Sequence, residues 1–230
     1  MAGQTDSGFG KVRLFDDFNR KAIDTTNLWN ANADSGGTAF AINTQANGVA
    51  RGTGDGTDGD ITNLIGNVIW GCAGGPLICE WRAALITSLA NGETFVGLTD
   101  ATTDETPIQV SAADAQTDAA TDAAGFVYTG GGTANWKAVA VKGDASKTPV
   151  ACNKGGATTP VLTTYQTFRL EINEDGDVDY YINGLWQARI DEGVTGTVLF
   201  APYLGFEDGG TARSVDADYN YMECGRVNHA

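Results

Sequence analysis

Carboxylates are the residues with which this sequence could do the most varied chemistry, and three of them are grouped in one short loop. Residues 52–60 read GTGDGTDGD, which places Asp55, Asp58 and Asp60 among glycines. Carboxylate and backbone carbonyl oxygens are the ligands that Ca²⁺ prefers, and glycines let the backbone bend around an ion. The loop is therefore a candidate Ca²⁺ site, although the same residues would also suit an exposed turn. We expect no other cofactor.

Pairs of carboxylates could instead carry out acid–base chemistry. Residues i and i+2 of a strand share a face, so acids at that spacing lie close together. Two candidate groups have this spacing, Asp175 with Asp177 and Asp179, and Asp216 with Asp218, and a third candidate is the adjacent pair Asp16 and Asp17. Solvent-exposed aspartates in turns and at strand edges would produce the same pattern.

The histidine and tryptophan residues limit which catalytic, metal-binding and ligand-binding sites the chain can form. The sequence has a single histidine, His229, so a Ser–His–Asp arrangement or a multi-histidine metal site would have to depend on that residue alone. Most of the five tryptophans lie in alternating strand patterns that are typical of a core. Trp186 follows the turn residues Asn183 and Gly184, and we expect it to be exposed and able to contact a glycan or a partner protein.

Charge and cysteine content limit the classes of partner. The formal net charge is −15, and the 14 Lys and Arg residues are scattered. Nucleic acids and anionic membranes require a basic surface, so we expect neither as a partner. No secretory signal or membrane span is evident, which predicts synthesis in a cytosol. Four cysteines (Cys72, Cys79, Cys152 and Cys224) are expected to be buried thiols, with a Cys72–Cys79 bridge as the alternative.

The strand pattern is clearest in residues 167–190, TFRLEINEDGDVDYYINGLWQARI. Apolar and polar residues alternate there, and turn residues around Gly176 and at Asn183-Gly184 separate the alternating segments. Similar segments recur along the chain, and 31 glycines fit many turns. Residues 111–124 are ambiguous, and we expect a loop with one helical turn. The sequence predicts an all-β, two-sheet antiparallel sandwich, with a flexible arm at 1–10 and one domain at 11–230.

The order of these segments resembles that of concanavalin A-like and laminin G-like jelly-roll domains. Residues 15–19 with 28–30, residues 79–83 and residues 165–184 are similar to strands of laminarinase-type β-glucanases. Those enzymes carry catalysis on a strand with a Glu-x-Asp motif followed by a further Glu. No glutamate here is followed by Asp two residues later, so no catalytic residue carries over. On this ground we expect the chain not to be an enzyme.

A second resemblance is to virion proteins of tailed phages that share this sandwich. It rests on residues 15–18, 95–101, 121–126 and 199–219, which occur in the same order. The resemblance implies a virion protein that is assembled in the host cytoplasm and decorates the capsid, with the major capsid protein as partner and a homo-oligomeric state. The alternative is a lectin-like module on a tail, fibre or cell surface that binds a glycan, and a glycoside hydrolase ranks below both.

Overall fold

Strands are the regular secondary structure of the described residues, and turns and irregular segments connect them. The computed structural model describes residues 10–44, 48–103, 105–111, 113–130, 135–155 and 158–226, and no helix occurs among them. The all-β prediction is confirmed. Residues 1–9 of the predicted arm and His229 lie outside the described residues. The division into an arm at 1–10 and one domain at 11–230 stays a prediction.

Two antiparallel sheets of eight strands each form the sandwich, as predicted. Sheet A contains β1 (Lys11–Asp16), β3 (Thr38–Asn43), β4 (Val49–Thr53), β6 (Leu77–Leu85), β14 (Gln166–Ile172), β15 (Val178–Ile182), β16 (Leu185–Ile190) and β18 (Ser214–Gly225). Sheet B contains β2 (Trp29–Ala33), β5 (Ile61–Gly66), β7 (Glu93–Thr99), β10 (Ala123–Thr129), β11 (Lys137–Lys142), β12 (Ala145–Ser146), β13 (Val150–Ala151) and β17 (Ala201–Glu207). A separate hairpin joins β8 (Ile108–Val110) to β9 (Gln116–Asp118).

The alternation in the sequence decides which side chains enter the core. In β14, Phe168 and Leu170 point into the space between the sheets, whereas Arg169 and Glu171 lie on the outer face. The turns follow the predicted chemistry, because Gly176 has φ 86° and Asn183 has φ 51°. Both residue types adopt positive φ at low cost. The strands and turns of residues 167–190 therefore lie where the alternation predicts them, and the pairing of β15 with β16 has a register shift between Tyr180 and Tyr181.

Aromatic rings fill much of the space between the sheets. Phe126 of β10 packs against Phe168 and Tyr180 of sheet A, with ring centroids 5.3 and 5.4 Å apart. Trp136 lies 4.6 Å from Phe168. Complete burial of a side chain such as Phe stabilises the fold by about 1.5–3 kcal/mol. These contacts join the two sheets across a single interface.

The longest strand, β18, stands at the centre of sheet A. It pairs with β6 along one edge, and along its other edge with β4 and β1 in turn. A register shift between Ala217 and Tyr219 lets the strand follow the twist of the sheet. Sheet A runs in the order β16-β15-β14-β6-β18-β4-β3, with β1 beside β18.

The segment 111–124 differs from its prediction. Gln116–Asp118 form a strand that pairs with Ile108–Val110, and no helical turn occurs in the described part of this segment. The alanines at its end are buried, Ala120 beneath the hairpin and Ala123 in β10. Burial of small side chains against a sheet overrides the helical preference of alanine.

Candidate functional site

The outer face of sheet B, which points away from the main core, carries a second apolar layer. Phe95, Val127, Val139 and Tyr203 lie on this face, and the β8–β9 hairpin packs over them through Ile108 and Val110. The hairpin thus covers the middle of the sheet. Strand β10 presents alanine, glycine, valine and threonine there, so the centre of the face has no carboxylate from that strand.

Two glutamates lie next to each other on this face, beside the β8–β9 hairpin. Glu93 begins β7 and Glu207 ends β17, and the register places them directly opposite each other. Directly opposite residues have Cβ atoms about 4.5–5.5 Å apart. Glu93 accepts hydrogen bonds from the backbone N–H of Val110 and, at 2.9 Å, from the Thr129 hydroxyl. Glu207 accepts one from the Gln109 side chain, so both carboxylates are bonded to the hairpin.

Burial shifts the titration of both glutamates. The Glu93 side chain is almost completely buried, and this burial raises its pKa to about 7. The hydrogen bonds from Val110 and Thr129 oppose the shift, whereas the charge of Glu207 adds to it. Burial also raises the pKa of Glu207, and nearby Asp58 adds to that rise. Glu93 is therefore partly protonated at neutral pH, which an isolated exposed glutamate would not be.

A polar cavity of about 290 Å³ opens beside the two carboxylates, and we call it the Glu93–Glu207 pocket. Its wall includes Gln109, Thr129 and Asp58, and backbone of Gly92 and Gly209 forms part of the lining. Its volume lies close to the lower end of the range for small-molecule sites, roughly 300 Å³. Carboxylates, an amide and hydroxyls that converge on one cavity can bind the hydroxyl groups of a sugar.

The predicted Ca²⁺ ligands do not converge on one point. Asp58 lines the Glu93–Glu207 pocket, whereas Asp55 accepts a 2.8 Å hydrogen bond from the backbone N–H of Thr57. Partial burial and the neighbouring carboxylates Asp55, Asp34 and Asp208 raise the pKa of Asp60. Within the described ranges, no group of three or more His, Cys, Asp or Glu residues is placed to hold a metal ion. Ca²⁺ binding by Asp55, Asp58 and Asp60 stays a prediction.

Asp208 has a role in this loop that the sequence did not reveal. Its carboxylate accepts hydrogen bonds from the backbone N–H groups of Gly56, at 2.8 Å, and Arg213, at 3.0 Å. A Cβ atom at Gly54 would collide with this carboxylate. The glycines of residues 52–60 therefore let the loop close around Asp208, whatever else the loop binds.

Trp186 is exposed, as predicted, whereas the other four tryptophans are buried. Its side chain is 43% exposed on β16, and its indole N–H donates a 3.1 Å hydrogen bond to Asp179. The Lys154 ammonium lies 3.4 Å from the ring centroid and covers one face of the ring. One ring face at most is therefore free to stack in this arrangement, and a glycan or partner contact at Trp186 stays a prediction.

The predicted carboxylate pairs are held by internal partners. Asp16 is buried and accepts a 2.8 Å hydrogen bond from the Trp29 indole, whereas Asp17 is exposed. Asp177 and Asp179 both bind Arg189. Asp216 and Asp218 also have arginine partners, Arg51 and Arg82 respectively. The exposed Asp17 carboxylate accepts a 3.1 Å hydrogen bond from the backbone N–H of Asn19, and Asp175 flanks a turn, where its backbone N–H donates to the Asn173 side chain.

The four cysteines are free and buried, as predicted. Burial raises the pKa of the Cys152 thiol to about 12, so its nucleophilic thiolate is scarce at neutral pH. Among the described residues, no helix is long and apolar enough to span a membrane.

Comparison with solved structures defines the class of fold. The alignment with the Bacillus licheniformis β-glucanase covers 91% of this chain and 97% of the glucanase chain, with a TM-score of 0.62 and 12% identity. A structure of endo-acting O-glycanases from the human gut microbiota gives a TM-score of 0.65 with 12% identity and coverage of 94% and 99%. The carbohydrate recognition domain of Emp47p gives 0.59 with 11% identity and coverage of 94% and 95%. The protein is a concanavalin A-like jelly-roll sandwich, a fold that glucanases and lectin domains share.

No protein family and no curated protein matches the sequence. None of the three structures described above is of a phage protein, so the phage resemblance gains no support from them. Identities this low show the fold and leave the activity of this chain to be argued from its own residues.

The prediction that the chain is not an enzyme is corrected by these structures. Glycoside hydrolases share its fold over more than nine-tenths of its length. The missing Glu-x-Asp motif excludes one arrangement of catalytic residues, and it does not exclude others on the same sheet. Glu93 and Glu207 are two acids on neighbouring strands, and no short sequence motif links them.

Proposed function

We propose that the protein binds a glycan in the Glu93–Glu207 pocket. The observation that carries the proposal is the pair of adjacent carboxylates that line a cavity of about 290 Å³ beside the apolar layer of sheet B. The fold adds support, because its relatives include glucanases and a carbohydrate recognition domain.

The pocket has the groups that sugar recognition requires. Glu207 and Asp58 would accept hydrogen bonds from sugar hydroxyls, while Gln109 and Thr129 could both donate and accept. Glycine at positions 92 and 209 lets two backbone segments of the pocket wall lie against each other, because a Cβ atom at either position would collide with the other segment. The pocket favours neutral ligands, because the carboxylates of Glu93 and Glu207 would repel an anionic ligand.

The same pocket could support hydrolysis of the bound glycan. Glu93, whose pKa is raised to about 7, would donate a proton to the oxygen of the glycosidic bond. Ionised Glu207 would stabilise positive charge at the anomeric carbon until water adds there, and the proton that this water releases would return to Glu93. Hydrolysis is thus the activity to measure once binding is found.

Calorimetric titration with a panel of neutral oligosaccharides, including mixed-linkage β-glucan fragments and mucin O-glycans, tests the proposal. We expect one panel member to bind the wild type and Glu207→Ala to weaken that binding at least tenfold. Glu192→Gln is the matched control, because Glu192 is exposed and lies outside the pocket. Wild-type protein that binds none of the panel, or Glu207→Ala protein that binds normally, would refute it.

Hydrolysis has its own readout in the release of reducing ends. Glu93→Gln keeps the acceptor oxygen for Val110 and Thr129 but cannot donate an acidic proton. We expect this variant to retain binding and to lose turnover. Binding without turnover in the wild type would limit the function to recognition.

A virion surface role is the second candidate, and the ordered phage-like segments in residues 15–18, 95–101, 121–126 and 199–219 favour it. In this role the chain would decorate the capsid, bind the major capsid protein and act as a homo-oligomer. Immunogold labelling of purified particles tests it. Gold over the heads would support capsid decoration, and gold over the tail would favour a receptor or glycan contact. Particles without label would contradict a virion role.

A further inference from the structure

The outer face of sheet A carries a line of six side chains that crosses the sheet at right angles to its strands. Consecutive cross-strand partners give the order Phe15, Tyr221, Glu80, Arg169, Tyr181 and Trp186. We call this line the central row. At a strand spacing of about 4.8 Å, it is about 24 Å long. Its two end residues are the most open, with Phe15 60% and Trp186 43% exposed.

The composition of the central row is typical of protein interfaces. Tyrosine, tryptophan and arginine are enriched in interface cores and among the residues that contribute most to binding. The rest of sheet A's outer face is rich in ion pairs that are already formed within one chain. The two charged residues of the central row have such partners as well. Tyr219 donates a 2.7 Å hydrogen bond to Glu80, and Arg169 forms an ion pair with Glu171. These contacts fix the side chains before any partner arrives.

This face is nearly neutral, although the chain is strongly acidic. Its ion pairs use six of the chain's 14 Lys and Arg residues and eight of its 29 Asp and Glu residues. The formal charge of these groups is −2, so the remaining groups carry −13 of the total −15. Electrostatic repulsion between two copies of the chain is therefore smallest when the outer face of sheet A in one copy packs against the same face of the other copy.

The central row is self-complementary when it is reversed. Its order is aromatic, aromatic, acid, base, aromatic, aromatic. A two-fold axis parallel to the strands, between Glu80 and Arg169, would place Phe15 over Trp186 and Tyr221 over Tyr181 of a second copy. Glu80 would then face Arg169 twice, once on each side of the axis. An axis along the row would instead oppose identical charges.

The available area is adequate for a stable pair. Seven strands at about 4.8 Å, each about 25 Å long, give a face on the order of 700 Å². A standard interface buries about 800 Å² on each partner. We propose that two copies of the chain associate face to face through the outer surface of sheet A, about a two-fold axis parallel to the strands that passes between Glu80 and Arg169.

Charge reversal at the centre of the row tests this interface. Sedimentation equilibrium of the wild type should give twice the chain mass of 24.0 kDa. Arg169→Glu and Glu80→Arg each place like charges across the axis, so each should raise the dissociation constant at least tenfold. Lys142→Glu is the control for Arg169→Glu, because it changes the net charge equally but lies on sheet B. Thermal melts of each variant show whether the chain still folds.

A mixture of the two variants separates contacts between copies from contacts within one copy. In a pair made of one copy of each variant, position 80 of each copy faces position 169 of the other. Each of these two contacts then joins an acid to a base. Arg169→Glu and Glu80→Arg should therefore form a heterodimer when combined, although neither restores the ion pair within its own chain. A wild type that stays monomeric, a dimer that Arg169→Glu and Lys142→Glu weaken equally, or a mixture that stays monomeric would each overturn the proposal.

Discussion

Replacing Glu93 with Gln should remove part of the pH dependence of folding. The pKa of Glu93 is raised from 4.5 to about 7 in the native state, so between these values the native chain holds a proton that the unfolded chain releases. Stability from this group is complete below pH 4.5 and is lost as the pH rises through about 7. Integration between about pH 5 and pH 8 gives a loss of roughly 2.5 kcal/mol.

Urea unfolding followed by tryptophan fluorescence at several pH values measures this loss. Burial also raises the pKa of Glu207, Asp208 and Asp100. These acids therefore also lower the free energy of unfolding of the wild type as the pH rises. The relevant quantity is therefore the difference between wild type and Glu93→Gln. Gln keeps an acceptor for the Val110 N–H, so the hairpin contact should survive.

The variant should lose about 2.5 kcal/mol less than the wild type between about pH 5 and pH 8. Glu192→Gln controls for the loss of one acidic side chain, because Glu192 is exposed, and it should behave as the wild type does. Equal losses in wild type and Glu93→Gln would refute the conclusion that burial of this carboxyl raises its pKa.

Three further changes test the core, a buried cation and the thiols. Phe126→Ala should lower the free energy of unfolding by about 3–5 kcal/mol, because it removes a ring packed between both sheets, and urea denaturation measures this. Arg213→Met should cost about 1–3 kcal/mol in the same assay, since the buried guanidinium donates to the Thr94 hydroxyl and to the carbonyl of Asn91, and the variant removes both hydrogen bonds. Ellman's reagent should find no reactive thiol in the native protein and four per chain in denaturant, because all four cysteines are buried; rapid native reaction of any thiol would contradict that burial.

The sandwich could be predicted because its signals are local. Phe168, Leu170 and Tyr180 show the alternation of half-buried strands, and Gly176 and Asn183 mark the turns between them. Each signal depends on neighbours within a few residues, and the contacts observed between the sheets agree with it.

The candidate site could not be predicted in the same way. Glu93 and Glu207 are about 110 residues apart in sequence, and only the placement of β17 beside β7 brings them together. The β8–β9 hairpin was missed because each strand has three residues and its alanines favour helix. The sequence grouped Asp55, Asp58 and Asp60 by spacing alone, which could not show that Asp58 lines the same cavity as Glu207, and Ca²⁺ binding by the three stays a prediction.

The central position of β18 has a consequence for how the chain folds during synthesis. Strand β6 pairs with β14 and β18, and β18 is the last strand in the described part of the chain. Until residues 214–225 leave the ribosome, β6, β4 and β1 each lack a neighbour that only β18 provides. The nascent chain therefore presents open strand edges that can join other chains. Translation of the final strand is the step that converts these edges into one continuous sheet.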